Sequence, residues 1–211
     1  MTTESTAGPV GLIDRVKNIL LTPRAEWDRI DGEAADTTKL YTGYVLPLAA
    51  LSAICMVIGL TMFSWGAFGV SVRFSPVQAI ITGVFQFVMV FVSIYVLALI
   101  INALAPNFGS TANQGQAHKV AVYASTASLL AGVFSIHPAT GILGLLGLYS
   151  LALLFIGLPK LMKTPEDKRI GYFATVLIVA IVLNILIGVL AGSVRTVVGG
   201  MAGPGISFGQ N

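Results

Sequence analysis

Charge is scarce in this sequence. Asp, Glu, Lys and Arg make up 10% of its 211 residues, and hydrophobic residues make up 55%. Soluble domains carry about 25% charged residues. A chain this apolar cannot be solvated mainly by water, which excludes a soluble globular fold. The composition is that of an integral membrane protein.

Cysteine and histidine are almost absent, with one Cys and two His. The single thiol, Cys55, excludes an intrachain disulfide and a cysteine metal cluster, and we expect it to be a small buried apolar residue. No metal ion or cofactor is predicted. The net charge is only +3, and the basic residues do not form the dense patch of a nucleic-acid binder, so no nucleic acid is expected as a partner.

Motifs for catalysis are also missing. The sequence contains no G-x-S-x-G, no H-E-x-x-H and no glycine-rich phosphate loop. An intramembrane hydrolase would need Ser150 with His118 or His137 as its base, but the two histidines are predicted at opposite faces of the membrane and neither has an orienting partner. We therefore expect no enzymatic activity and assign no catalytic residue.

Five stretches are long and apolar enough to cross about 30 Å of hydrocarbon, which takes roughly 20 helical residues. The predicted spans are residues 44–63, 77–104, 119–136, 139–161 and 171–194. The predicted fold class is an all-α bundle of five transmembrane helices. The flanking segments are a flexible start (1–10), amphipathic or interfacial helices (11–43) and a flexible tail (195–211).

Local signals support these boundaries. Ser75 followed by Pro76 predicts the N-cap and first turn of span two, and Pro138 similarly begins span four. Spans three and four should then form a tight hairpin through His137 and Pro138. The first residues lack the basic start and apolar core of a secretory signal, so we expect no cleaved signal.

Basic residues lie almost entirely on one side of the spans. Only Arg73 and Arg195 fall on the other side. Lys and Arg concentrate in cytoplasmic loops, so the pattern predicts a cytoplasmic N-terminus and a C-terminus outside. The residues on the predicted cytoplasmic side are Arg15, Lys17, Arg24, Arg29, Lys39, Lys119, Lys160, Lys163, Lys168 and Arg169.

Two charged segments stand out on the predicted cytoplasmic side. In "LLTPRAEWDRI", Thr22 should cap a helix that begins at Pro23, and in "KTPEDKR", Thr164 should do the same before Pro165. The apolar stripe before Thr22 predicts a helix that lies in the interface or packs under the bundle, with Trp27 as an anchor or dock. Candidate contacts with a partner or the membrane surface are Arg24, Trp27, Arg29, Lys163, Glu166, Asp167 and Lys168.

Few polar groups fall within the spans. His118 and Lys119 lie at the cytoplasmic mouth of span three, where they are expected to snorkel toward water. Small and polar residues align on one face of spans three and five, which predicts close helix packing or a polar lining for a lipid headgroup or solute. These candidates are Ser125, Ser128, Gly132, Asn184 and Gly188. A further packing stripe is predicted on span four at Gly141, Gly144 and Gly147.

Three stretches resemble the Yip family, the Ypt/Rab-interacting-protein type of five-span membrane domain, in its bacterial branch. They are "LIDRVKNILLTPRAEWDRI", "AVYASTASLLAGVFSI" and "LGLYSLALLFIGLPKLMKTPEDKRIGYF", and the resemblance runs from about Gly11 to Leu190. It implies a cytoplasmic N-terminus, five helices and, in eukaryotic relatives, roles in vesicle trafficking, GTPase recruitment and membrane shaping. This sequence has only a short segment before span one, so GTPase binding is not carried over to it.

Two functions follow as hypotheses. The first is a non-enzymatic protein of the bacterial inner membrane that organises membrane or recruits protein partners through its cytoplasmic face. The alternative is a passive pathway for lipid or small solutes through the bundle. Membrane lipids are expected partners in both cases, and the small-residue stripes are also compatible with a homo-oligomer.

Overall fold

The structure is a computed structural model that describes residues 11–67, 70–199 and 205–208. Five helical segments in this part of the chain are long and apolar enough to cross a membrane. The predicted all-α fold class is therefore confirmed. The spans are Thr37–Met62, Pro76–Phe108, Gln114–Ile136, Pro138–Leu161 and Glu166–Leu186.

The spans are assembled from α-helices and shorter helical turns. The α-helices are α1 (Leu12–Leu21), α2 (Pro23–Gly32), α3 (Thr37–Leu40), α4 (Leu46–Met62), α5 (Pro76–Leu104), α6 (Gln114–Ala124), α7 (Thr126–Ala131), α8 (Tyr149–Leu161) and α9 (Arg169–Gly199). A π-helical turn joins α3 to α4 at Tyr41–Val45. The 3-10 segments are Ala105–Phe108, Gly132–Ile136, Pro138–Leu148 and Glu166–Lys168.

One end of the bundle, here called the charged end, carries α1, α2 and the turn between α8 and α9. The loop between spans two and three also lies there, because the backbone N–H of Thr111 donates to the carbonyl of Met162 over 2.8 Å. We call residues 162–168 the α8–α9 corner.

The opposite end carries a small antiparallel sheet and is here called the sheet end. Its strands are β1 (Trp65–Ala67), β2 (Val70–Arg73) and β3 (Gly205–Phe208), in the order β1-β2-β3. The sequence did not predict this sheet: α9 continues to Gly199, and β3 lies where a flexible tail was expected. Strands of three or four residues are too short to show a clear alternation of apolar and polar positions.

The predicted start of span two is confirmed in detail. The Ser75 side chain accepts a hydrogen bond from the backbone N–H of Gln78, and the Gln78 side chain accepts from the N–H of Ser75, which is a reciprocal capping box. Spans three and four also form the predicted hairpin, in which His137 Nδ1 accepts from the N–H of Ala139 at 3.1 Å.

The glycine stripe on span four behaves differently from expectation. In a 3-10 helix, residues three apart eclipse one another, so Gly141, Gly144 and Gly147 share a face of the Pro138–Leu148 segment. Only Gly147 approaches another helix closely, because a Cβ there would lie 3.2 Å from Cβ of Ala131, whereas Gly141 and Gly144 face open space. Close packing is therefore confined to one end of the stripe.

Side chains along the spans divide between a core and a lipid-facing surface. The hydrophobic core contains Ile19, Trp27 and Ile30 of α1 and α2 together with buried residues of the spans. Large apolar side chains on α5 and α9 are exposed, among them Val84 and Ile185. Hydrocarbon, rather than water, is the solvent that suits such a surface.

Candidate functional site

The helices α1 and α2 form an antiparallel hairpin that packs against the charged end. Trp27 is only 1% exposed and meets Tyr123 of α6 edge-on, with ring centroids 6.4 Å apart. On its other side the indole lies against Gly157 of α8, where a Cβ would be 2.5 Å from Cε2 and 2.7 Å from Cη2. Only glycine permits this contact, so Trp27 is the dock of the hairpin and does not reach the surface.

A buried ionic cluster holds the two helices of the hairpin together. The guanidinium of Arg15 donates to Glu26 at 2.7 Å and to Glu33 at 2.5 Å, and it lies 5.4 Å from the centre of the Tyr123 ring. Burial alone would lower the pKa of Arg15, but the hydrogen bond to Glu33 and the neighbouring groups raise it overall, so the side chain stays charged.

Lys119 fastens the end of α2 to span three. Its Nζ donates to the carbonyl of Ile30 over 2.8 Å and also to the carbonyl of Glu33. A cation at a helix C-terminus satisfies carbonyls that have no partner in the helix and interacts favourably with the helix dipole. The prediction that His118 and Lys119 snorkel to water is wrong, since each residue is 2% exposed.

The hairpin is also joined to the α8–α9 corner and the end of α8. Asp28 pairs with Lys160 at 2.5 Å, and Asp31 pairs with Lys163 at 2.5 Å. Trp27 contacts Gly157, and residues later in α2 pair with residues later in the chain at α8 and the corner. The helix α2 therefore runs in the same direction as α8. Exposed ion pairs contribute only about 0–1 kcal/mol each, and their effect is mainly to fix the register of α2 on α8.

The two predicted threonine caps are wrong. Thr22 makes no side-chain cap for α2, and Pro165, instead of Thr164, occupies the N-cap position of the Glu166–Lys168 turn. The Thr22 hydroxyl instead donates back to the carbonyl of Asn18 at 3.1 Å, and the Thr164 hydroxyl bonds that of Ser110 at 2.8 Å. Thr164 thus ties the α8–α9 corner to the loop between spans two and three.

The predicted surface contacts lie together in space, with one exception. The exception is Trp27, which is buried. The others are exposed and lie on α2 or on the corner beside it: Arg24, Arg29, Lys163, Glu166, Asp167 and Lys168. We call these six residues the charged surface. Two segments more than a hundred positions apart in sequence are thus joined at the charged end by the Asp31–Lys163 pair.

The polar candidates within the spans surround a second feature, a cavity of about 580 Å³ between spans two, three and five. Ser125, Ser128, Asn184 and Gly188 all line it. Gly132 does not, because it packs on Ser52 of span one, where a Cβ would lie 2.9 Å from Cβ of Ser52. The stripe on span three therefore lines a cavity at Ser125 and Ser128 and packs against span one at Gly132.

Asn184 is one of two amide side chains at this cavity, the other being Gln86. Its Oδ1 accepts from the Ser93 hydroxyl at 3.1 Å, and its Nδ2 donates to the carbonyl of Ala180 at 2.8 Å. The Ser125 and Ser128 hydroxyls donate to carbonyls in their own turns. These bonds satisfy both hydroxyl donors and one of the two Nδ2–H donors of Asn184.

The residues considered for hydrolysis are not brought together. Ser150 Oγ accepts from the backbone N–H of Ser128 at 2.9 Å. His118 Nδ1 is bonded to the Tyr41 hydroxyl at 3.1 Å, whereas His137 lies in the turn at the sheet end. Among the residues that the structure describes, no group of three His, Cys, Asp or Glu side chains could hold a metal ion.

Sequence reasoning missed the groups that fix the hairpin. Arg15, Glu26 and Glu33 had the pattern of a solvated helix face, and nothing local distinguishes them from exposed charges. The one sequence feature that could have indicated the docking is Gly157, two residues before Pro159 in the last of the three stretches that resemble the Yip family. A glycine does not, however, indicate which side chain approaches it.

The five spans and the docked hairpin define a class of polytopic helical membrane protein in which the N-terminal segment is part of the bundle. The family model of the Yip1 domain matches residues 17–187, from within α1 to within α9. The chain belongs to the Yip1 domain family, which confirms the family predicted from the sequence.

Two curated relatives support this assignment. The chain is 23% identical over 171 residues to a protein of Escherichia coli K12 named "Inner membrane protein YohC", and the match covers 78% of this chain and 88% of the relative. The protein of the same name from E. coli O6:H1 strain CFT073 matches to the same extent. No solved structure matches the chain.

Proposed function

We propose that this Yip1 domain protein is a non-enzymatic component of a bacterial inner membrane that recruits a protein partner through the charged surface, with the charged end in the cytoplasm. The observation that carries the proposal is the joining of α2 to the α8–α9 corner by the Asp28–Lys160 and Asp31–Lys163 pairs. Together these segments form a defined, folded face rather than two separate flexible loops.

The charge of this face suits a polar partner. Lys168 and Arg29 are exposed cations, and Glu166 and Asp167 are exposed acids. A mixed pattern of this kind favours specificity and orientation of a partner more than raw affinity. The cytoplasmic location is supported by the excess of Lys and Arg at this end, and the inner membrane by the printed name of the E. coli relative.

Site-specific photo-crosslinking in native membranes tests the recruitment role. A crosslinking residue at Arg29, Asp167 or Lys168 is expected to capture the same protein reproducibly. The matched control is Arg73, which is also exposed but lies in β2 at the sheet end, and it should not capture that protein. Recovery of lipid alone from all three positions would overturn the proposal.

A second candidate function is a passive pathway for lipid or a small solute. It is favoured by the cavity of about 580 Å³ at Ser125, Ser128, Asn184 and Gly188, since polar groups at membrane depth usually face a functional cavity or another helix. In liposomes containing purified protein, Asn184→Leu and Ser128→Leu should slow lipid movement.

The control for this test is Thr175→Leu, which adds the same side chain to α9 at a position that does not line the cavity. A loss of movement with Thr175→Leu as large as with Asn184→Leu would point to general damage. Liposomes in which protein gives no acceleration over protein-free controls would remove this candidate.

A further inference from the structure

A second cavity, of about 540 Å³, lies at the charged end between α2, the last turn of α8 and the start of α9. It is distinct from the cavity within the spans. Its lining combines basic side chains, Arg24, Lys160 and Arg169, with the apolar Ile156 and Pro159 and the edge of Trp27. A cavity lined by both cations and apolar groups suits an amphipathic ligand.

Two of its cations have no carboxylate partner. Neither Arg24 nor Arg169 lies within ion-pair distance of an acidic group in the described part of the chain. Arg169 is held by stacking on Phe155, 4.6 Å from the ring centre, and by a long 3.5 Å bond to the Phe155 carbonyl. Its guanidinium is therefore positioned but not neutralised.

The remaining charges of the cavity partly cancel. Lys160 is bound to Asp28 at 2.5 Å, and Glu166 also contributes to the lining. The cavity lining therefore holds three cations and two acids, which gives it a net charge of +1. The two cations without a carboxylate partner are the guanidinium groups. A guanidinium fork binds phosphate oxygens bidentately, which makes Arg the preferred residue for such a group.

Two buried hydrogen-bond donors on lining residues also indicate a ligand with acceptor atoms. Trp27 is 1% exposed, and its Nε1–H has no acceptor among the described residues; the Nε–H of Arg169 is buried and lacks one as well. Buried indole and guanidinium donors normally find an acceptor. Both residues line this cavity, which favours a ligand rich in acceptor oxygens.

The position of the cavity decides the source of the ligand. Span four ends at Leu161 and span five begins at Glu166, so the cavity lies at the boundary where lipid headgroups are found. Ile170, next to Arg169, is 71% exposed, which suits contact with lipid. We propose that this cavity binds the phosphate headgroup of an anionic phospholipid, with Arg24 and Arg169 as its ligands. The proposal does not depend on partner recruitment.

Native mass spectrometry of the full chain, titrated with phosphatidylglycerol, tests the assignment. Arg24→Gln and Arg169→Gln are each expected to weaken binding about tenfold, which corresponds to about 1.4 kcal/mol. The matched control is Arg29→Gln, which removes an exposed guanidinium from the same helix outside the cavity and should change binding less than twofold. Arg169→Lys, which keeps the charge but loses the fork, should weaken binding partially.

Two competing probes make the result decisive. Phosphatidylcholine should bind at least tenfold more weakly than phosphatidylglycerol, and inorganic phosphate should compete poorly. Equal binding of both lipids, or unchanged binding in Arg24→Gln, would overturn the proposal. Binding of inorganic phosphate as tight as that of lipid would show an anion site without lipid selectivity and would also overturn it. If Arg169→Gln does not fold, the Arg24→Gln comparison alone decides.

Discussion

The ammonium of Lys119, in span three, donates a hydrogen bond to the carbonyl oxygen of Ile30, at the end of α2, over 2.8 Å. The two residues are 89 positions apart in the chain. A buried lysine is thus used as the C-terminal cap of another helix.

Replacing Lys119 by methionine should loosen the hairpin. The substitution keeps a long side chain but leaves the carbonyls of Ile30 and Glu33 buried without their donor, which costs about 1–3 kcal/mol. The midpoint of thermal unfolding in detergent should fall, and a protease should cut between α1 and α2 faster. Lys39→Met is the control, since that side chain is 86% exposed, and an equal effect there would contradict the assigned role.

Gly157→Ala should displace Trp27. The new Cβ would lie within 2.7 Å of the indole, and overpacking of this kind costs about 1–3 kcal/mol. Thermal unfolding measures the loss. Gly141→Ala, where the added Cβ meets no atom within 4 Å, should be neutral or slightly stabilising.

A double-mutant cycle checks the origin of that effect. In a Trp27→Leu background, Gly157→Ala should cost less than it does in the unmodified protein, because the ring that it strikes is gone. Additive losses would show that the damage arises elsewhere on α8.

Arg15→Met should be more damaging than Lys160→Met. Arg15 is buried between Glu26 and Glu33, and removing one member of a buried ion pair costs about 3–5 kcal/mol because the remaining charge is left uncompensated. The Lys160–Asp28 pair is exposed, so solvent screens it and its loss should lower stability much less. Comparison of the two unfolding midpoints tests this order, and equal losses would refute it.

The two ends of the bundle should be accessible from opposite sides of the membrane. With the buried Cys55 replaced by alanine, a membrane-impermeant maleimide should label Arg73→Cys in intact cells after outer-membrane permeabilisation. It should label Lys168→Cys only after the inner membrane is opened. Labelling in the reverse order would place the charged end outside and would remove the basis for a cytoplasmic partner.

Much of the fold was predictable because membrane solvation acts on local sequence. The length and apolar character of a span are visible in its own residues, and so is the cap that Ser75 provides at the start of span two. Neither depends on the neighbouring helices. The docking of Trp27, the burial of Arg15 and the pairing of β2 with β3 depend on contacts between distant segments. Those contacts leave no periodicity in the residues that make them.

The sequence predicted where the candidate site lies, but not the contacts that hold its segments together. The two charged segments were expected on the same side of the membrane and do lie at one end of the bundle, but no local pattern indicated that ion pairs join them. Lys119 shows the physical reason: a lysine near the end of a span is usually solvated by snorkelling, and only the unpaired carbonyls of α2 provide a better partner inside the bundle.

The docked hairpin also constrains how the protein is made. Translation produces α1 and α2 first, whereas Lys119, Tyr123 and Gly157, which receive them, are synthesised much later. During that interval Trp27, Ile19 and Ile30 have no bundle to cover them. Another surface, either the bilayer interface or the insertion machinery, must shield them until span four is in place, so α1 and α2 reach their final position only after the later spans that receive them have been made.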